Sequence, residues 1–186
     1  MSKKKDLRVI KTERAIYSAL IELLKKKDLE KITVSELSEK AEINKATFYL
    51  HYSDIYSLYQ EALAHHIKEI ISELGLLEKF KNDSREFSRC LINEFFNPES
   101  LANDPFFKNT SQTYNRTLSF HICNAFTEQV ISSELLPNTR ENLLKMEFFF
   151  TGIAFLRQNH TAEDNELLTH ILANTIRDLF GSDGKR

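Results

Sequence analysis

The chain has little that turns or breaks a helix. Its 186 residues include four glycines, three prolines and no tryptophan. So small a supply of turn formers argues for long helices joined by short connections. No apolar run approaches the ~20 residues needed to span a bilayer, so no membrane segment is expected. Cys90 and Cys123 are the only cysteines. They lie far apart without a CxxC pairing and read as buried, reduced thiols of a cytoplasmic protein rather than as a redox pair. The opening MSKKKDLRVIKTER is basic but has neither the apolar core nor the cleavage site of a secretory signal. A glycine-rich phosphate loop, a nucleophile elbow and an HExxH motif are all missing, so neither a cofactor nor an enzyme activity is expected. His65 and His66 adjoin each other, but no second cluster of ligands stands at metal spacing. No internal repeat or low-complexity tract is seen.

What is present is charge asymmetry and helical periodicity. Residues 1–60 carry 12 Lys+Arg against 9 Asp+Glu, whereas the rest carry 13 against 18. Lys3, Lys4, Lys5, Arg8 and Lys11 face only Asp6 and read either as a phosphate-contacting arm or as a solubilising tail. Ile16, Ala19, Leu20, Leu23 and Leu24 place one apolar stripe on a helix predicted over Thr12–Lys26. Thr33 and Glu36 have the spacing of a capping box, opening a short helix with Val34, Leu37 and Ala41 inward. Glu42-Ile43-Asn44 breaks that helix, and Asn44 is a natural N-cap for a second one over Lys45–His51. There Phe48 points inward, and Lys45, Thr47, Tyr49 and His51 are expected to face out. Two short helices around a tight turn, the second with a polar, basic and aromatic face, form a helix-turn-helix suited to a major groove.

A longer helix follows Ser53-Asp54, with Ile55, Leu58, Tyr59, Ala62, Leu63, Ile67, Ile70, Ile71 and Leu74 inward, ending near Gly75. Beyond it the chain reads as helical again. Phe87, Cys90, Leu91 and Phe95 mark a short helix closed by Asn97-Pro98, and Asn103-Asp104-Pro105 interrupts before Phe106-Phe107. A long helix spans Tyr114–Leu135, with Leu118, Ile122, Ala125, Phe126 and Ile131 inward and Pro137 closing it. Leu143–Gln158 is the most apolar segment. Thr161 with Asp164 caps a last helix striped by Leu167, Leu168, Ile171, Leu172, Ile176, Leu179 and Phe180, with Gly181 as its C-cap. The fold class expected is all-α, with a helix-turn-helix domain over residues 10–70 (motif about 33–52) and a helical domain over 75–181.

The first amphipathic helix, the run ITVSELSEKAEINKATFYLHY and the long linking helix resemble the DNA-binding domain of the TetR family of bacterial transcriptional regulators. The block ATFYLHY at Ala46–Tyr52 carries the likeness most specifically. Two positions depart from that pattern. Glu42 stands where the turn usually has glycine, and Ile55 stands where a phosphate-contacting lysine is common.

The resemblance implies base-edge contacts from Ser35, Lys45, Ala46, Thr47 and Tyr49, and Asn44 also counts among the DNA-binding residues. Ala46 and Thr47 could meet thymine methyls, and Thr33, Tyr49 and His51 resemble phosphate-contacting positions. It implies a homodimer joined through the last two long helices, a roughly palindromic double-stranded operator, and repression relieved by a small-molecule effector. The alternative implied by some relatives is a co-activator acting through a protein partner without operator binding. Thirteen of the fourteen phenylalanines lie beyond residue 79, and such a domain can enclose an apolar cavity. Arg89, Arg116, His121, Phe126 and Phe149 are candidates to line it, with Asn124 and Gln129, although aromatic residues at helical spacing are more often plain core.

Overall fold

Apolar spacing dictates the helices. The computed structural model describes residues 7–95, 103–107, 112–159 and 161–181, without the side chains of 95, 112–118, 157 and 158. Among the described residues there is no strand, as the scarcity of turn formers implied. The helices are α1 (Leu7–Leu24), α2 (Val34–Lys40), α3 (Lys45–His51), α4 (Ile55–Glu73), α5 (Leu76–Asn82), α6 (Ser84–Cys90), α7 (Gln112–Ser132), α8 (Arg140–Asn159) and α9 (Asn165–Phe180). A π-helical turn, Leu91–Phe95, extends α6. Among the described residues no helix is long and apolar enough to cross a membrane.

The chain divides into two compact units, Met1–Leu63 with Asp104–Thr110, and Ala64–Asn103 with Ser111–Arg186. In the first unit the predicted stripe of α1 is buried in full: Ile16, Ala19, Leu20, Leu23 and Leu24. Leu29, Ile32, Leu37, Phe48, Ile55, Leu58 and Tyr59 complete this core. The helix already runs from Leu7, the first described residue, so Thr12 lies inside it and its hydroxyl donates to Arg8 O (3.0 Å). Arg8 and Lys11 are therefore helical, and Lys3–Lys5 lie outside the described residues. Ile55 is buried, so the departure from lysine places a core residue at the first turn of α4. Asp54 and Ser57 cap that turn reciprocally, Ser57 N donating to Asp54 Oδ1 (2.7 Å) and Asp54 N to Ser57 Oγ (3.2 Å).

One part of this core comes from far along the chain. Phe106 is fully buried with its ring centroid 5.7 Å from Tyr59 and 6.2 Å from Tyr17. The Tyr59 hydroxyl donates to Phe106 O at 2.7 Å. Asp104 shapes the turn by accepting from Phe106 N (2.8 Å). Phe106-Phe107 thus belong with the first unit and not with the C-terminal domain in which their place in the sequence puts them.

In the second unit α9 packs along α6, and α7 along α8. Gly75 (φ +60°) supplies the left-handed residue between α4 and α5. Phe80, Phe87, Phe126, Phe149, Phe150 and Phe180 form one ring cluster, with centroids 5.1 Å apart for Phe87–Phe126 and 5.6 Å for Phe126–Phe150. Most of the phenylalanine excess in this half is therefore packing. The expected stop of α7 at Pro137 is corrected. The helix ends earlier, where Glu134 takes φ +57° and Leu135 N donates to Val130 O (3.0 Å), a Schellman closure. The capping box at Thr161 and Asp164 forms as predicted, on the short 3₁₀ turn leading into α9.

Candidate nucleic-acid interface

Local signals build α2 and α3 almost residue by residue. Thr33 Oγ1 accepts from Glu36 N (3.3 Å) and starts α2. The second half of the predicted capping box is not made: the Glu36 carboxylate pairs instead with the Lys27 ammonium, a charged partner stronger than a backbone N–H. Glu42 ends α2 in the left-handed region (φ +55°), with Ile43 N donating to Ser38 O (3.0 Å) and Glu42 N to Glu39 O (3.1 Å). This too is a Schellman closure, with glutamate where glycine is usual. Asn44 then opens α3, its Oδ1 accepting from Thr47 N at 2.7 Å.

Phe48 is fully buried and fixes the inner face of α3. The outer face is not quite the one expected. Lys45, Ala46 and Tyr49 are exposed, Tyr49 by 58%. Thr47 is half-buried, and its hydroxyl donates to Asn44 Oδ1 (2.9 Å), so the cap takes up its polar group. His51 is corrected more strongly. Its side chain is 14% exposed and places Nδ1 3.6 Å from Glu13 Oε1 on α1. Beside it the Tyr52 hydroxyl is pushed up to about 12, first by burial and then by the Glu61 and Glu13 carboxylates. This polar seam under α3 turns His51 and Tyr52 toward α1 and α4 and rolls Leu50 outward. Leu50, which the sequence reading did not select, is 84% exposed. The signal that would have found it is the helical wheel: Lys45, Ala46, Tyr49 and Leu50 fall within one half-turn at ~100° per residue, a span that leaves out Phe48 and His51. Thr33 and Ser35, at the start of α2, are both exposed.

The ligand candidates of the second unit scatter. Arg89 is exposed and forks onto Glu86, with Nε 2.9 Å from Oε2 and Nη2 2.8 Å from Oε1. An acidic neighbour one turn back holds the guanidinium at the surface. Phe126 and Phe149 lie inside the ring cluster, and His121 is half-buried with its pKa lowered by burial. The Arg116 side chain lies outside the described ones. A cleft of 530 Å³ does open between α7 and α8, lined by Ser119, Phe120, Cys123, Asn124, Glu147, Phe150, Thr151, Ala154 and Phe155. Of the predicted lining residues it includes Asn124 alone. Among the described residues no group of three or more His, Cys, Asp or Glu side chains is placed to hold a metal ion.

Residues 16–62 match the family model described as "Bacterial regulatory proteins, tetR family". An HTH-type transcriptional regulator of Bacillus subtilis, YxbF, is 37% identical over 72 residues. Those residues are 38% of this chain, and the chain spans only 19% of that protein's length. Two solved structures share the fold over nearly the whole chain. The TetR family repressor AlkX from Dietzia, described as implicated in biodegradation of n-alkanes, has a TM-score of 0.62 at 13% identity, over 96% of this chain and all of its own. A TetR-family regulator from Mesorhizobium loti has a TM-score of 0.51 at 15% identity, over 95% of this chain and all of its own.

Proposed function

We propose that this chain, whose residues 16–62 match the tetR-family model, is a TetR-family DNA-binding transcriptional repressor of the cytoplasm and not an enzyme. The observation that carries the reading is α3. It is a capped helix seated by Phe48, turned from α2 through Glu42, and presenting Lys45, Ala46, Tyr49 and Leu50 as an exposed face. Such a face fits the major groove of duplex DNA. At the start of α2, Thr33 would meet the backbone and fix register, and Ser35 would reach a base edge.

A homodimer would set two such helices on a roughly palindromic operator. Its support is a face left exposed among the described residues. On α8, Leu144, Phe148 and Phe155 are 47%, 67% and 65% exposed, and on α9 Leu167 and Ile171 are 60% and 43% exposed. Two adjacent helices with their large apolar side chains outward make half of a four-helix interface. Release by a small-molecule effector is supported by the cleft between α7 and α8. Effector and operator would then favour different states of one dimer, each weakening the other's binding.

The test is fragment binding followed by fluorescence anisotropy at several salt concentrations. We expect selective retention of particular duplexes by the full chain and a steep loss of affinity with salt. Tyr49→Ala and Lys45→Ala should each weaken binding to the retained fragments. Unchanged fragment selection in both variants would overturn the assignment of α3 as the reading head, and a protein partner acting without operator would then be the better reading.

A further inference from the structure

We infer that α3 reads its operator chiefly through the C5-methyl groups of thymine, with Leu50 as the main contact and Ala46 as the second. The inference rests on the DNA-binding reading above and narrows it to a sequence class.

The exposed face of α3 offers few groups that can pair with a base edge. Side chains that pair bidentately with base edges are Arg or Lys for guanine, Asn or Gln for adenine, and Glu or Asp for cytosine. Of that set the face offers Lys45 alone, a donor without an acceptor. Neighbouring polar groups are engaged elsewhere. Asn44 Oδ1 accepts both the N–H and the hydroxyl of Thr47, and His51 turns to Glu13. What is left outward is a methyl at Ala46, a phenol at Tyr49 and an isobutyl group at Leu50. The Tyr49 ring stands edge-on to the buried Phe48, centroids 5.5 Å apart at 84°, so this end of the face is held in place. In the major groove the thymine C5-methyl is the apolar group that a base pair presents. An apolar side chain pressed against any other base edge would strip water from a donor or acceptor and give nothing in return. Leu50, 84% exposed in the protein alone, therefore discriminates in favour of thymine, and Ala46 does so on a smaller scale.

A methyl contact can be deleted chemically without touching a hydrogen bond, because deoxyuridine is thymidine without that carbon. The experiment selects duplexes from a random library with the full-length protein, then rebuilds the best one with deoxyuridine at one thymine at a time. Affinities of the wild type, Leu50→Ala and Lys45→Ala are read by anisotropy at one fixed salt concentration. Wild type should lose about fourfold at one or two thymines per half-site, the factor that corresponds to one CH₂-sized contact. Leu50→Ala should bind the thymine duplex more weakly and be indifferent to deoxyuridine at one of those positions. Lys45→Ala should keep every deoxyuridine penalty while weakening binding elsewhere. Circular dichroism of Leu50→Ala should be unchanged, since the side chain packs against little.

A wild type indifferent to deoxyuridine at every position, or a Leu50→Ala protein that retains all the penalties, would overturn this inference and leave DNA binding intact. A protein that enriches no duplex at all would overturn the DNA-binding reading, and this inference with it.

Discussion

Glu42 is the most informative residue to change, because two substitutions there separate backbone strain from side-chain contact. Its φ of +55° lies in the left-handed region, which costs an L-residue about 1–2 kcal/mol. Both hydrogen bonds of the closure, Ile43 N to Ser38 O and Glu42 N to Glu39 O, come from the backbone, so glycine would keep them. Glycine removes the steric cost but adds about 0.5–1 kcal/mol of conformational entropy lost on folding. The balance for Glu42→Gly is a gain of about 0.5–1 kcal/mol. In a protein of this length that raises the thermal midpoint by about 1–4 °C. Glu42→Ala is the control: it removes the same carboxylate but keeps the Cβ, so its midpoint should stay near wild type. Calorimetry or urea titration of the three proteins is sufficient. If Ala and Gly shift the midpoint equally, the effect belongs to the carboxylate, in the groove it shares with Glu22 and Lys40, and the strain argument fails. Glu134 (φ +57°) closes α7 by the same geometry. Glu134→Gly should give a similar gain, adding to the first within about 0.5 kcal/mol, since the two sites lie in different units.

Tyr59→Phe removes the buried bond to Phe106 O and should cost about 1 kcal/mol in urea titration; no change would mean that the turn at 104–107 does not support the first unit. Burial lowers the pKa of His121 below its ordinary 6.5, so its neutral form suits the folded state. The stability it allows is complete above about pH 6.5 and is lost as the pH falls from there through the lowered value. Denaturation midpoints at pH 7.5 and 5.5 should therefore converge in His121→Gln relative to wild type. Gly152 lies mid-helix in α8, where an added Cβ would meet nothing within 4 Å. Within one copy Gly152→Ala should stabilise by up to about 1 kcal/mol. If α8 crosses a second copy there, the methyl should weaken association, which sedimentation at falling concentration would show.

The sequence carried the first unit best because its instructions are local. Asn44 caps the helix it precedes, Phe48 sits one turn inside it, and the stripe on α1 needs only period 3.6 to be read. Reading failed where a long-range partner outbid a local one. Glu36 has capping-box spacing but prefers the Lys27 ammonium. Phe106 is an ordinary aromatic in sequence, and nothing near it announces Tyr17 and Tyr59 as neighbours. Pro137 suggests that α7 runs on to Leu135 because proline is visible in sequence, whereas a left-handed glutamate at 134 is not. On α9 one apparent stripe proved to be two faces, Leu168, Leu172 and Ile176 inward and Leu167 and Ile171 outward. Periodicity marks residues that avoid water without saying whether their partner is in the same copy.

The candidate site shows the same division at finer grain. Composition placed a basic, aromatic helix at Lys45–His51, and that is where α3 lies. Phe48 fixes its inner face, and Glu13 and Glu61, from two other helices, meet His51 and Tyr52 there. A histidine and a tyrosine at the end of a recognition helix would ordinarily be assigned to DNA. Here the Glu13 carboxylate lies 3.6 Å from His51, and burial, with Glu61 beside it, pushes the Tyr52 phenol up. With those two held inward, α3 can show only what remains on its far side, and that side ends in Leu50. Replacing Glu13 by alanine would release His51 from this seam. The reading face would then gain a polar group and lose the fixed setting of its leucine, so preference for thymine should weaken before overall affinity does.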